Sequence, residues 1–257
     1  MDYNPYAAPD AAPIAPFQGA TGGTGPQPWD LGEVLGGAWN LFRSNWAVLL
    51  FAMLLGGCVE QLPSHVNSVL VARHIILQFS REYWIALSAA MLCGTFIGAF
   101  FEVGLTKIWL AAARGSAPEF GELFSGGPRY FAMLGYKMLS ALVVGLGLMA
   151  FVVPGVILAM GFKFGSFYVV DQEMGPVEAM KASWEATDGQ KAQVFLLAVV
   201  EWLLGLAGIL ACCFGALVTF PIIALASTTV YLRISGRGAA VAPSTYEAPS
   251  GYGPPAF

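Results

Sequence analysis

Residues 138–162 read MLSALVVGLGLMAFVVPGVILAMGF, 25 positions without a charged side chain, and residues 202–232 lack charge over a further 31. A helix rises ~1.5 Å per residue, so about 20 apolar residues cross a hydrocarbon layer ~30 Å thick. Both stretches are long enough, which places the chain in a bilayer. Working outward, four more apolar runs complete an all-α, polytopic membrane fold of six spans: 45–62, 84–106, 131–152, 154–171, 192–209 and 213–232. Hydrocarbon offers the backbone no hydrogen-bond partner, and these runs lack the two-residue alternation of a barrel strand, so each is expected to be a helix. Pro154-Gly155 is the expected break between the third and fourth spans. The region from Gly208 to Gly215 divides the fifth from the sixth.

Composition agrees. The 257 residues are 57% hydrophobic and 11% charged, with mean hydropathy +0.66, against about 25% charge in soluble domains. No basic field suited to nucleic acid is present. Cys58, Cys93, Cys212 and Cys213 lie in apolar stretches without C-x-x-C spacing and read as small apolar fillers before any redox or lipidation role. Residues 1–28 lack the charged region and apolar core of a cleavable leader, so the first span is expected to act as the insertion signal. Ten of the 16 prolines fall in residues 1–28 or 234–257. Such segments bury too little apolar surface to offset chain entropy, and both tails are expected to be disordered around a membrane domain spanning 29–233. Asn4-Pro5-Tyr6 and Thr245-Tyr246-Glu247 share a loose pattern that a protein partner could read, although a plain solvated tail is the simpler expectation.

Lysine and arginine set the orientation. Arg43, Lys107, Arg114, Arg129, Lys137, Lys181, Lys191, Arg233 and Arg237 fall on the side of the two tails, and only Arg73 and Arg81 on the other. Nine against two predicts cytoplasmic termini.

Three segments precede pairs of spans and resemble one another: Leu31-Gly32-Glu33-Val34-Leu35, Phe120-Gly121-Glu122-Leu123-Phe124, and Val177-Glu178-Ala179-Met180. Trp39 and Trp184 each follow a glutamate by six residues. Leu31, Val34, Leu35, Ala38, Trp39 and Phe42 share one helical face. Each segment is expected to be an amphipathic helix at the membrane interface, with Glu33, Glu122, Glu178 and Lys181 toward headgroups or a protein partner and the tryptophans toward the acyl boundary. A threefold repeat of interfacial helix plus hairpin is the expected plan. Residues 64–82 are expected to form a short helix on the outer leaflet.

Lys163 and Glu201 lie about halfway along the fourth and fifth spans, where a charge costs ~2.5–3.5 kcal/mol and normally faces a partner or a wet cavity. They are expected to pair. Such a pair serves either as a pin that fixes helix register or as a gate, relay or polar substrate site, and the pin is preferred. Glu102, Lys107 and Lys137 read as interfacial anchors. Gly94-x-x-x-Gly98 and Gly161-x-x-x-Gly165 offer close helix contact. No hydrolase, metalloprotease or nucleotide-binding motif occurs, so no catalytic, cofactor or metal residue can be named.

The run Gly104-Leu105-Thr106, Ala112-Ala113-Arg114-Gly115, Pro118, Phe120-Gly121-Glu122-Leu123-Phe124, Pro154-Gly155, Asp171, Gly175, Glu178-Ala179-Met180, Ser183-Trp184 and Gly189 resembles the membrane domain of bacterial glycerophosphoryl diester phosphodiesterases and related polytopic inner-membrane proteins. The resemblance implies six helices with interfacial helices in the inner membrane and no activity of the domain itself. The soluble phosphodiesterase module, with its His-Arg-Gly motif and metal carboxylates, is absent from this sequence, so hydrolysis does not carry over. The expected function is a non-enzymatic module that holds membrane lipids or a protein partner. The alternative is a small transporter or channel built on Lys163 and Glu201.

Overall fold

Asp30 starts the first helix by accepting hydrogen bonds from the Gly32 and Glu33 amides at 2.8 and 3.1 Å, which satisfies two of the donors that a helix start leaves open. The computed structural model describes residues 28–73, 75, 77, 79–211 and 214–237; both tails, His74, Cys212 and Cys213 lie outside them. The chain runs through α1 (Leu31–Ala72), α2 (Arg81–Ala113), a 3-10 turn (Phe120–Phe124), α3 (Tyr130–Ala150), α4 (Val152–Phe162), α5 (Gly165–Asp171), α6 (Pro176–Ala186), α7 (Lys191–Leu210) and α8 (Phe214–Ile234). Among the described residues six helical segments are long and apolar enough to cross a membrane, α4 and α5 together forming one of them.

The surface is inverted relative to a soluble bundle. Phe131, Leu142, Leu146, Met149, Phe195 and Trp202 point outward, while the interior holds large apolar side chains such as Leu49, Ile108, Phe164 and Tyr231 together with buried polar residues that include Ser183, Glu201, Thr228 and Thr229. Between helices in lipid, packing replaces hydrophobic burial as the driving force, so close approach at small residues adds to the packing of the large buried ones. At Gly104 of α2 an added Cβ would stand 2.6 Å from the Leu123 backbone, and fully buried Leu123 is the anchor of the 3-10 turn. Helix α1 packs on α2 and α8, α3 on α4, α7 on α8, and α5 and α6 close the end where α1 begins and α8 finishes.

Several boundaries depart from the sequence reading. Residues 31–44 form a helix of their own, as expected, joined to the first span at a kink where Asn45 leaves helical geometry (φ −126°, ψ 17°), so that α1 as a whole runs over 42 residues. There the Asn45 amide and Ser44 hydroxyl donate to the Leu41 carbonyl at 3.3 and 3.0 Å, taking up an acceptor that the bend loosens. The apolar face of this segment meets protein, with Val34 and Ala38 fully buried in the common core. At the far end α1 continues through Pro63 to Ala72, so residues 64–72 extend a span and no independent helix covers 64–82. The second repeat copy is a single 3-10 turn, since Pro118 before it and Gly126-Gly127-Pro128 after it leave too few residues for more. The first copy is a helix set off by the Asn45 kink, the second a 3-10 turn and the third the separate helix α6, so the three copies differ in form.

The turn between α3 and α4 falls at extended Phe151 (φ −159°, ψ 148°), ahead of Pro154-Gly155. Pro154 instead occupies the first turn of α4, where a missing N–H leaves no bond unmade. Gly155 then lets α3 approach, 3.1 Å separating its Cα from a Cβ built on Gly147. Cys58 and Cys93 lie exposed on α1 and α2 instead of filling gaps between helices.

Gly104→Leu is expected to push the 3-10 turn off α2. Overpacking of this kind costs about 1–3 kcal/mol, so the variant should show a lowered midpoint in a detergent thermal-unfolding assay, and an unchanged midpoint would count against this contact.

Candidate functional site

The fourth span is broken. Helix α4 ends at Phe162, α5 begins at Gly165, and Lys163 and Phe164 between them tighten into a 3-10 geometry, with the Lys163 amide donating to the Met160 carbonyl at 3.4 Å. Unpaired backbone at this depth costs several kcal/mol per group unless protein supplies a partner. Two side chains supply it. The Ser183 hydroxyl of α6 accepts from the Phe164 amide at 3.2 Å and donates to the Gly161 carbonyl at 2.7 Å, and Ser183 is fully buried. The Tyr136 hydroxyl of α3 donates to the Phe162 carbonyl.

The two glycines that flank the break make room for aromatic rings. Trp184 lies against Gly161 and Tyr136 against Gly165, at distances a Cβ would not permit. Gly161-x-x-x-Gly165 thus receives side chains from α6 and α3 instead of joining two helix backbones. Gly94-x-x-x-Gly98 on α2 instead meets both parts of Glu60 on α1: a Cβ built on Gly94 would stand 3.1 Å from its backbone carbonyl oxygen, and one on Gly98 2.7 Å from its carboxyl.

At the break, the Lys163 ammonium bonds the Glu201 carboxylate of α7, and the other carboxylate oxygen accepts from the Ser227 hydroxyl of α8 at 2.6 Å. Glu201 is only 9% exposed. The structure thus brings together the two midplane charges named from the sequence, and adds Ser227. This triad joins three spans and closes the charge inside the protein.

A second polar cluster lies where α5 ends. The Asp171 side chain, 4% exposed, receives Arg114 at 2.5 Å, the Tyr231 hydroxyl at 2.8 Å and Arg237 at 3.3 Å. Close by, Arg233 grips Glu33 through two bonds of 2.7 and 3.0 Å, tying the start of α1 to the end of α8. Glu102 pairs with Lys137 across α2 and α3, so neither is simply an interfacial anchor, while Lys107 donates to the Ser125 hydroxyl at 2.9 Å.

The remaining candidates separate. Trp39 is 45% exposed and faces away from the core, whereas Trp184 packs inward on Phe162 and Gly161, so the matching spacing hides opposite roles. One carboxylate oxygen of Glu122 is buried without a hydrogen-bond partner among the described residues. Glu178 turns back to accept the Gly175 amide at 3.2 Å and so caps α6. Gly189, at φ +74°, stops the chain beyond α6 as its position suggested. Lys191 then bonds Asp188 at 2.7 Å, holding that carboxyl below its ordinary range, and stands 4.1 Å over the Trp184 ring.

Between α3, α4 and α6 lies an open groove of about 400 Å³, within the ~300–1,000 Å³ of small-molecule sites. Leu139, Val143, Leu158 and Phe162 line it from α3 and α4, and Val177, Met180 and Trp184 from α6, with exposed Lys181 and Glu185 at its rim. Sequence reasoning named the lining residues Lys181 and Trp184 but did not foresee the groove, and it gave Ser183 and Asp171 no role. A hydroxyl at position 183, one turn from buried Ala179 on the apolar face of α6, was the available signal for Ser183. Searches against family models, curated proteins and solved structures give no match for this chain.

Removing one partner of a buried ion pair costs about 3–5 kcal/mol, while replacing both by apolar groups is close to neutral. Lys163→Met and Glu201→Met are each expected to lower the thermal-unfolding midpoint sharply, and the double variant to recover most of the loss; equal, additive losses would show that the two charges do not act as a pair.

Proposed function

We propose that this multi-pass membrane protein is a non-enzymatic module that holds a membrane lipid against α6. The open groove between α3, α4 and α6 carries this reading: the residues that line it from α3 and α4 are all apolar and the charged ones in its lining, Lys181 and Glu185, are exposed on α6, as suits an acyl chain entering from the bilayer. The clamped break in the fourth span supports it, because Ser183 and Trp184 hold α6 in place as one fixed side of the groove. The proposed reading of Lys163, Glu201 and Ser227 is a neutralised pin between spans, and the six-helix plan accords with the membrane domain that the sequence resembles.

Detergent-purified protein is expected to retain phospholipid by native mass spectrometry, and Val143→Trp, which fills the groove, to lose about 10-fold of it, by the ~1.4 kcal/mol of contacts that a filled site forfeits. A stable Val143→Trp variant that keeps its lipid would overturn the reading. A second reading, transport through the broken span, rests on the Lys163–Glu201 pair at the break. Ion or solute flux in proteoliposomes that Glu201→Gln abolishes while lipid retention persists would favour it.

The basic face is proposed to be cytoplasmic and the membrane to be a bacterial inner membrane, on the nine-to-two distribution of cations. A phosphatase reporter inserted in the 73–80 turn should be active in the periplasm and the same reporter at Phe257 inactive; the reverse pattern would refute the orientation.

A further inference from the structure

Helix α6 carries three charges, Glu178, Lys181 and Glu185, and the structure commits only one of them. Glu178 is used as the helix cap, bonded to the Gly175 amide. Lys181 and Glu185 are one turn apart, both belong to the groove lining, are exposed, and form no ion pair with any described residue. Side chains at this spacing have Cβ atoms about 5–6 Å apart and could reach each other. They instead present a cation and an anion side by side. The nearest competing cation, Lys191, is occupied by Asp188 and the Trp184 ring.

Resting on the lipid-holding reading, we propose that the groove selects an aminophospholipid: an acyl chain along Leu139, Val143 and Leu158, the phosphate against Lys181 and the primary ammonium against Glu185. A phosphoethanolamine head places its ammonium two carbons from the phosphate ester, which matches a cation and a carboxylate one helical turn apart. A glycerol head supplies phosphate without an ammonium and leaves Glu185 facing net negative charge. A choline head supplies the positive charge without N–H donors, so it cannot form the charge-assisted hydrogen bond that a carboxylate accepts most strongly. Trp184, next to Glu185 in the lining, packs on Phe162 and Gly161 and so fixes the α6 side of the groove.

The test is competition among equimolar phosphatidylethanolamine, phosphatidylglycerol and phosphatidylcholine of identical acyl chains, read as bound-lipid ratios by native mass spectrometry of the full chain. Rim pairs of this exposure change affinity about two- to fivefold, so the ethanolamine lipid should be retained about two- to fivefold over each of the others. Glu185→Gln should bring the ethanolamine-to-choline ratio to one, and Lys181→Gln should lower retention of all three lipids together. Equal retention of the three heads by the unaltered protein would overturn the head-group assignment while leaving the groove reading intact. Preference for the glycerol lipid would overturn it in favour of a purely cationic rim. Absence of bound lipid in every mixture would remove both readings.

Discussion

A backbone amide inside hydrocarbon must be paired within the protein, and the fourth span breaks that rule and is repaired from outside itself. Where α4 gives way to α5, a serine from α6 and a tyrosine from α3 supply the bonds that the helix no longer makes. The repair dictates much else. Ser183 can reach the break only if α6 lies directly on α4 and α5, Trp184 can follow only because position 161 is glycine, and Lys191 is then brought over the indole. The apolar groove is the space that remains between this clamped helix and the α3–α4 hairpin, so its existence follows from the break.

Charge is handled by the same logic of internal satisfaction. Lys163, Glu201 and Ser227 neutralise one another in the middle of three spans, while Asp171 collects two guanidinium groups and a phenol at the end where α5 stops. Buried ionic clusters of this kind are weak contributors to net stability but are strongly unfavourable when half-formed. They discriminate between the native helix order and alternatives in which these spans pack with other neighbours. That is the use to which a membrane protein can put them, because apolar faces in lipid discriminate poorly.

How much of this the sequence disclosed depends on the range of the cause. The spans were legible because absence of charge over 25 and 31 residues is a local property with one physical outcome. The meeting of Lys163 and Glu201 was legible because depth alone confines a charge to partners at its own level. The continuation of α1 to Ala72 was not, since residues 64–82 read as a short helix of their own, whereas Pro63 lies inside α1 and a proline in a membrane helix is tolerated when neighbours cover the gap. The likeness of Phe120–Phe124 to the other segments misled for a related reason: similar residues between close prolines and glycines cannot extend into a helix. Asp171 and Ser183 were passed over because their roles come from residues 57 and 19 positions away, which no periodicity reports.

The tie between Glu33 and Arg233 spans 200 positions of chain and joins the first described helix to the last. Buried positions on α1, Val34 and Ala38 among them, belong to a core that α8 completes. During synthesis α1 is made before α8, so the flank of α1 that meets α8 stays uncovered until α8 is in place. The order of translation and the order of assembly run against each other here: the earliest helix made is among the last to be enclosed.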